Sequence, residues 1–291
     1  MRIMVIGSGG YIGQRLCTQL AASGDEVVPL SSSEPGGIDP LSGRLPEEFS
    51  VPVGVDAIVY LAQSPQSGDF SRGATQALST NLLSAVKAAI AGTNAGVSRF
   101  VYASTGNVYR PGFTPYTESS ALTVDNLYAL TKVHAEQALA LARGAIDIHI
   151  LRLFGVYGPG QTSRLMPSLA HRILTDTPIE LAPRPGEPEA SDGLVLSLAF
   201  VDDLVDVFIR VARSGGPEIL NVGGEAAYSI REIGQKMGQM VGRKVRFERS
   251  LKARSGDLVA DTTLLRNTLG PLPTAFEIGL EQTLSALGTA S

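Results

Sequence analysis

Short apolar, β-branched runs alternate with longer helical stretches through the N-terminal half of the chain, and this rhythm narrows the fold more than any single motif. The runs are IMVIG, EVVPL, DAIVYLA, RFVYAS and IDIHILRLF, and the helical stretches cover 11–23, 75–91 and 125–143. Strands that take turns with helices predict a parallel sheet with crossover helices. The runs are apolar on consecutive residues, so both faces of the sheet are expected to be covered. The predicted class is therefore α/β, a doubly wound parallel sheet.

Beyond residue 155 the pattern loosens into VYGPGQ, a helix over 164–175 and the segment PIELAPRPGEPEASDG, whose four prolines mark an excursion from the core. Apolar order returns in LVLSLAFVDDLVDVFIRVA and EILNVGG, and Ser229 with Glu232 has the form of a capping box opening another helix. A chain of 291 residues fits one large domain or two unequal ones. The expected division is 1–162 with 195–224 for the sheet domain, and 163–194 with 225–291 for a smaller C-terminal lobe that would choose the substrate.

Composition excludes several function classes. Hydrophobic residues make up 44% and charged residues 18%, and a net charge of −4 offers no basic surface for nucleic acid or anionic lipid. MRIMVIG is too short for a signal-peptide core and no apolar run approaches membrane-spanning length, so a cytoplasmic protein is expected. A lone cysteine, Cys17, fits a reducing compartment, and His134, His149 and His171 lack metal-ligand spacing, so no metal is expected. Cys17 reads as a core filler and His134 as a helix-surface residue.

GSGGYIG places Gly7, Gly10 and Gly13 between the first strand and the first helix. Such glycines permit a tight turn and let backbone approach a pyrophosphate, which then sits on the helix N-terminus, here with Tyr11 and Ile12. The alternative is a close helix–strand contact with no ligand. The dinucleotide fingerprint of the Rossmann fold expects an acid about 20 residues on, for the ribose 2′-hydroxyl. The second strand instead runs into Ser31 and Ser32. A hydroxyl does not repel a 2′-phosphate, which favours NADP over NAD; the absence of an arginine in SSSEPGG pulls the other way. Asp39 is a candidate for adenine contact or, equally, a solvated loop aspartate.

YALTK sets Tyr128 and Lys132 four residues apart, on one helix face. A nearby ammonium favours the phenolate and makes tyrosine a usable proton donor and acceptor near neutral pH. An isolated YxxxK also arises from a half-buried tyrosine and a solvated lysine. Here it has companions: RFVYASTGNVY ends a strand with Ser104 and Thr105 at the carboxyl edge of the sheet, a Pro/Gly/Ser-rich loop leads to Tyr128, and VYGPGQ follows the next strand at the same edge.

With GSGGYIG, VYLAQS, STNLLSAVKAA, FVYASTGNVY, YALTK, LRLFGVYGPGQ, FVDDL, LNVGG and RSGDLVADTTLLRNTLG, the chain resembles the extended short-chain dehydrogenases/reductases that act as nucleotide-sugar epimerases, dehydratases and ketoreductases. The resemblance implies that Thr105 is the catalytic hydroxyl, with Ser104 as its backup, Tyr128 the acid/base, and Lys132 the lysine that tunes it and holds the cofactor ribose. It implies cofactor contacts from Leu61, Ala62 and Gln63, with Asn81 beside the active-site backbone, although by itself Asn81 reads as a helix-start residue. Asn107, Gln161 and Arg254 are the candidate substrate residues besides Thr105.

Departures narrow the chemistry. Gly106 and Asn107 stand where dehydratases carry an Asp–Glu pair, so dehydration is not expected. VLSLAFVDDL places apolar residues, Ser197 and Phe200 where epimerases resembling it carry a diphosphate-gripping arginine and a histidine, and Tyr60 replaces a common family histidine. Arg254 keeps a second family arginine, suited to a diphosphate, and Arg184 is a further candidate charge. The expected function is an NAD(P)-dependent reductase of a keto group on a nucleotide-activated deoxysugar or similar substrate. A nucleotide-sugar 4-epimerase is the close alternative, and a cofactor-sensing protein without turnover the distant one. The resemblance also implies a homodimer through helices 75–91 and 125–143, with Ala85, Ala88, Ala89, Leu130, Ala138 and Leu141 as interface or core.

Overall fold

The computed structural model describes residues 1–66, 68, 70–186 and 191–288. In chain order its elements are β1 (Arg2–Ile6), α1 (Tyr11–Ala22), β2 (Glu26–Leu30), β3 (Ala57–Tyr60), α2 (Phe70–Leu78), a π-helical turn (Ser79–Leu83), α3 (Ser84–Asn94), β4 (Arg99–Thr105), α4 (Leu127–Ala140) and β5 (Asp147–Leu153). There follow β6 (Val156–Tyr157), α5 (Leu165–Leu174), β7 (Ile179–Leu181), β8 (Val195–Ser197), β9 (Ala199–Phe200), α6 (Val201–Ser214), β10 (Ile219–Val222), β11 (Ala227–Ser229), α7 (Ile230–Met240), β12 (Phe247–Arg249), α8 (Thr263–Leu269) and α9 (Phe276–Ala286). The chain divides into two compact units: Met1–Arg110 with Ala121–Leu153 and Val205–Leu220, and Pro111–Ser120 with Phe154–Leu204 and Asn221–Ser291. Residues 111–120, within the loop before Tyr128, therefore group with the second unit.

The expected sheet has six strands in the order β10-β5-β4-β3-β1-β2, of which β1 to β5 lie wholly in the first unit. The pairs β1–β2, β1–β3, β3–β4 and β4–β5 are parallel, with Ile3 opposite Val27 and Ala57, and Ser104 opposite Arg152. Strand order reverses at β1, so the crevice for a ligand opens at the carboxyl ends of β1 and β3. Ile3, Val5, Ile58, Val59, Phe100 and Val101 are fully buried, which is why these strands read as continuous apolar runs.

The predicted helix over 75–91 is a composite. The π turn adds one residue between α2 and α3 and offsets the carbonyls of that turn from their ordinary amide partners. Two buried tyrosines satisfy them: Tyr60 Oη donates to Thr80 O at 2.5 Å, and Tyr102 Oη donates to Asn81 O at 2.8 Å. Their rings stack with centroids 5.9 Å apart. Burial raises both hydroxyl pKa values, so both remain neutral donors. Ala85, Ala88 and Ala89 turn inward to the sheet core, where small side chains let α3 approach closely. The exposed apolar residues on these segments are Leu83, Ile90 and Leu141.

In the second unit β8 pairs with β11, β7 with β12 and β6 with β9. Its core gathers Tyr157, Met166, Leu169, Phe200, Ile233 and Leu280. The predicted helix over 164–175 is α5, and α7 opens on the predicted capping box: Glu232 N donates to Ser229 Oγ at 3.2 Å and Ser229 N to Glu232 Oε2 at 2.8 Å. Of the proline-rich segment, 187–190 lie outside the described residues. Among the described residues no helix is long and apolar enough to cross a membrane, and no cluster of three metal-ligating side chains is present.

Candidate active site

The glycine loop is built by the ends of three strands. Gly7 N and Ser8 N donate to Leu30 O at 2.8 and 3.3 Å, and Leu61 N donates to Ile6 O at 2.8 Å, so β1, β2 and β3 fix the turn that opens α1. Gly7 has φ +94°, and a Cβ there would stand 2.6 Å from Ala62 N. A Cβ on Gly13 would run into Gly7 O, and Gly10 is the N-cap of α1, with no side-chain cap and no acid in the first turn. The start of α1, where Tyr11 and Ile12 lie, thus has no side-chain cap and no carboxylate to neutralise the positive end of the helix dipole, which suits an anion. Backbone this close, bare of side chains, fits the pyrophosphate of a dinucleotide.

Leu61, Ala62 and Gln63 form the loop after β3, beside Gly7. Asn81 holds this loop: Ser64 N donates to its Oδ1 at 3.0 Å, and its Nδ2 donates to Thr131 Oγ1 on α4 at 2.9 Å. Asn81 is fully buried inside the π turn, in mid-helix. The helix-start reading of Asn81 is thereby corrected, because the extra residue of the turn keeps the helix running on both sides of it.

Thr105 ends β4, and its Oγ1 accepts from Asn107 N and Asn107 Nδ2, both at 3.2 Å. Asn107 therefore touches the candidate catalytic hydroxyl directly. On α4, Tyr128 is half-buried and its Oη donates to Gln63 Oε1 at 3.3 Å. Lys132, one turn on, is 2% exposed; its Nζ donates to Ala103 O at 2.7 Å and lies 4.6 Å from the centroid of the Tyr102 ring. Burial pulls its pKa down to about 7, with the Glu136 charge opposing. An ammonium has three donors to place, and one of them is placed here on protein.

Glu136 and Arg152, which no sequence motif marks, form a buried ion pair beside these residues. Arg152 Nη2 lies 2.6 Å from Glu136 Oε2, and Arg152 Nη1 donates to Tyr109 Oη at 2.9 Å. Burial alone would lower the Arg152 pKa; hydrogen bonds and charge from Glu136 more than offset it, and the value is raised. Ser104 Oγ donates to Glu136 Oε1, so the proposed backup hydroxyl is committed to this network. The signal in the sequence is the spacing: Tyr128, Lys132 and Glu136 recur every four residues, a polar stripe along one face of the helix.

After β2, Ser31 Oγ meets Ser33 Oγ at 2.8 Å, and Ser32 is exposed on the same turn. Asp39 accepts from Leu41 N at 2.8 Å and Ser42 N at 2.7 Å; these two amides lower its pKa and make it the organiser of its own turn. Cys17 is half-buried, and its thiol pKa is raised by burial and then by the charge of Glu34.

Gln161 and Arg254 belong to the second unit. Gln161 Nε2 donates to Val156 O at 3.1 Å, while its buried Oε1 accepts no hydrogen bond among the described residues. Arg254 pairs with Asp257 at 2.8 Å and donates to Ala182 O at 2.8 Å. Phe113 lies under two guanidinium groups, that of Arg184 at 4.4 Å and that of Arg254 at 5.5 Å from its ring centroid. Leu196, Ser197 and Phe200 are buried in the same unit, with Ser197 Oγ accepting from Ala260 N at 3.1 Å.

Comparison with known proteins agrees with this geometry. Residues 3–223 match the NAD dependent epimerase/dehydratase family. The UDP-glucose 4-epimerase of Azospirillum brasilense is 27% identical over 94% of this chain and 87% of its own length. The dTDP-4-dehydro-6-deoxy-D-allose reductase of a Streptomyces species is 25% identical over 97% of this chain and 94% of its own. Among solved structures, MoeE5 in complex with UDP-glucose and NAD superposes with a TM-score of 0.78 at 26% identity, covering 99% of each chain. The chain belongs to the NAD dependent epimerase/dehydratase family and is an enzyme of the extended short-chain dehydrogenase/reductase type.

Proposed function

We propose that the chain is a reductase of a keto group on a nucleotide-activated sugar or deoxysugar. The observation that carries the reading is the Tyr128–Lys132 pair on α4, with Lys132 buried against the β4 carbonyl that lies two residues before Thr105. The glycine loop at Gly7, Gly10 and Gly13 would hold a nicotinamide dinucleotide, which when bound would supply the hydride. Tyr128 gives its proton to the substrate oxygen, Thr105 hydrogen-bonds the same oxygen, and Lys132 favours the phenolate that remains. Asn107, already on Thr105 Oγ1, would set the direction of that hydroxyl. Gly106 and Asn107 leave no acid–base pair for eliminating water.

For the substrate, Gln161 presents a buried acceptor that has no donor among the described residues, suited to a sugar hydroxyl, and such an acceptor is costly to leave unpaired. Arg254 and Arg184, stacked about Phe113, would take a diphosphate. Leu196, Ser197 and Phe200, all buried, are uncharged at the positions where the resembling epimerases carry an arginine and a histidine. A homodimer through the exposed Leu83, Ile90 and Leu141 completes the proposal.

A nucleotide-sugar 4-epimerase is the second reading, favoured by full-length relatives that carry that name. The two differ in what happens to the dinucleotide. Protein purified with nothing added is denatured, and the released nucleotide is identified by absorbance and mass. Stoichiometric NAD would sink the reductase in favour of a cofactor recycled in place. Empty protein that oxidises an added reduced dinucleotide in the presence of a nucleotide 4-ketosugar supports the reductase.

A further inference from the structure

The fingerprint acid is missing from the residue after β2, yet the fold returns a carboxylate to that place. Glu34 N donates to Ser31 O at 3.2 Å and Gly37 N to Glu34 O at 3.0 Å, so the chain turns back on itself directly after the strand. The turn brings Glu34 Oε2 onto Ser31 N, which donates to it. Ser31 packs against the glycine loop, where a Cβ on Gly9 would lie 3.2 Å from Ser31 Cβ. The carboxylate therefore sits at the strand end that borders the pyrophosphate cradle. One of its oxygens is used by Ser31 N; Oε1 accepts no hydrogen bond among the described residues and has lone pairs to offer a ligand. From Ser31 to Gly43 the sequence contains no lysine or arginine.

We propose that Glu34 is the residue that selects the dinucleotide, accepting hydrogen bonds from the adenosine ribose hydroxyls of NAD and repelling the 2′-phosphate of NADP. This rests on the dinucleotide reading of the glycine loop. It reverses the preference that the Ser31 hydroxyl alone implied. That hydroxyl is engaged with Ser33 Oγ, and a 2′-phosphate beside it would meet the Glu34 carboxylate with no cation in the turn to offset the repulsion. A ribose hydroxyl, in contrast, finds an acceptor held in place by a backbone amide.

The test is direct binding, independent of any sugar substrate. Nucleotide-free protein is titrated with NADH and with NADPH, following nicotinamide fluorescence, for the wild type, Glu34→Gln and Glu34→Arg. The wild type is expected to bind NADH at least about tenfold more tightly than NADPH. Glu34→Gln should bring the two within about threefold, and Glu34→Arg should invert the order. Glu34 is exposed, so both variants are expected to melt with the wild type. Equal binding of both nucleotides by the wild type, or a ratio unchanged in Glu34→Gln, overturns the assignment while leaving the dinucleotide reading intact. Binding of neither nucleotide overturns both.

Discussion

Arg152 on β5 and Glu136 on α4 meet as an ion pair at 2.6 Å with side chains only 3% and 5% exposed. Both charges are desolvated, and each is tolerable only because the other is present. Glu136→Gln is expected to destabilise the protein by about 3–5 kcal/mol, and Glu136→Leu combined with Arg152→Met by clearly less. Urea unfolding of the three proteins measures this. Equal losses in the single and double variants would show that the pair is not coupled.

Lys132 makes stability depend on pH. Its pKa of about 7 lies below the free value of 10.5, so between those values the unfolded chain holds a proton that the folded chain lacks. Stability from this group therefore rises with pH across that window, and its destabilising effect is fully present below it. The melting temperature of wild type relative to Lys132→Met is expected to increase from about pH 6 to about pH 9. A difference that does not move with pH would mean that burial does not perturb Lys132.

Tyr128→Phe removes one oxygen from a half-buried ring and leaves the glycine loop untouched. Turnover should fall by about 10²–10⁴-fold with dinucleotide binding retained. Loss of binding together with activity would assign Tyr128 a structural role, and full activity would remove it from the chemistry.

Gly7→Ala places a methyl 2.6 Å from Ala62 N on backbone at φ +94°. Strain of about 1–3 kcal/mol and displacement of the loop after β3 are expected. Thermal melting reads the first, and a loss of NADH affinity of at least about tenfold the second. Normal affinity in this variant would mean that the dinucleotide does not use this cradle.

Much of this was legible in the sequence because it follows local rules. Consecutive apolar runs gave β1 to β5, the Ser229–Glu232 spacing gave the start of α7, and the Tyr128–Lys132 spacing gave the shared helix face. What stayed hidden depends on side chains meeting across long separations. The π turn is held by Tyr60 and Tyr102, which come from strands, so the helical stretch by itself looks uninterrupted. Ser104 reads in the sequence as a backup catalytic hydroxyl, and its engagement depends on Glu136, 32 residues away. Glu34 sits three residues beyond the position the fingerprint inspects, and only the turn after β2 brings it back.

The π turn at Ser79–Leu83 also sets a rotational phase. One residue corresponds to about 100° around a helix axis, so the extra residue swings α2 by that angle relative to α3. Gln76 on α2, bonded to Ser64, and Ser84 on α3, whose Oγ donates to Gly43 O at 2.9 Å, can both reach their partners only with that offset. A single-residue deletion here would yield a more regular helix that faces the wrong way. Length in this helical segment is therefore constrained alongside the identity of Asn81, which bonds Ser64 N and Thr131 Oγ1 from inside the turn.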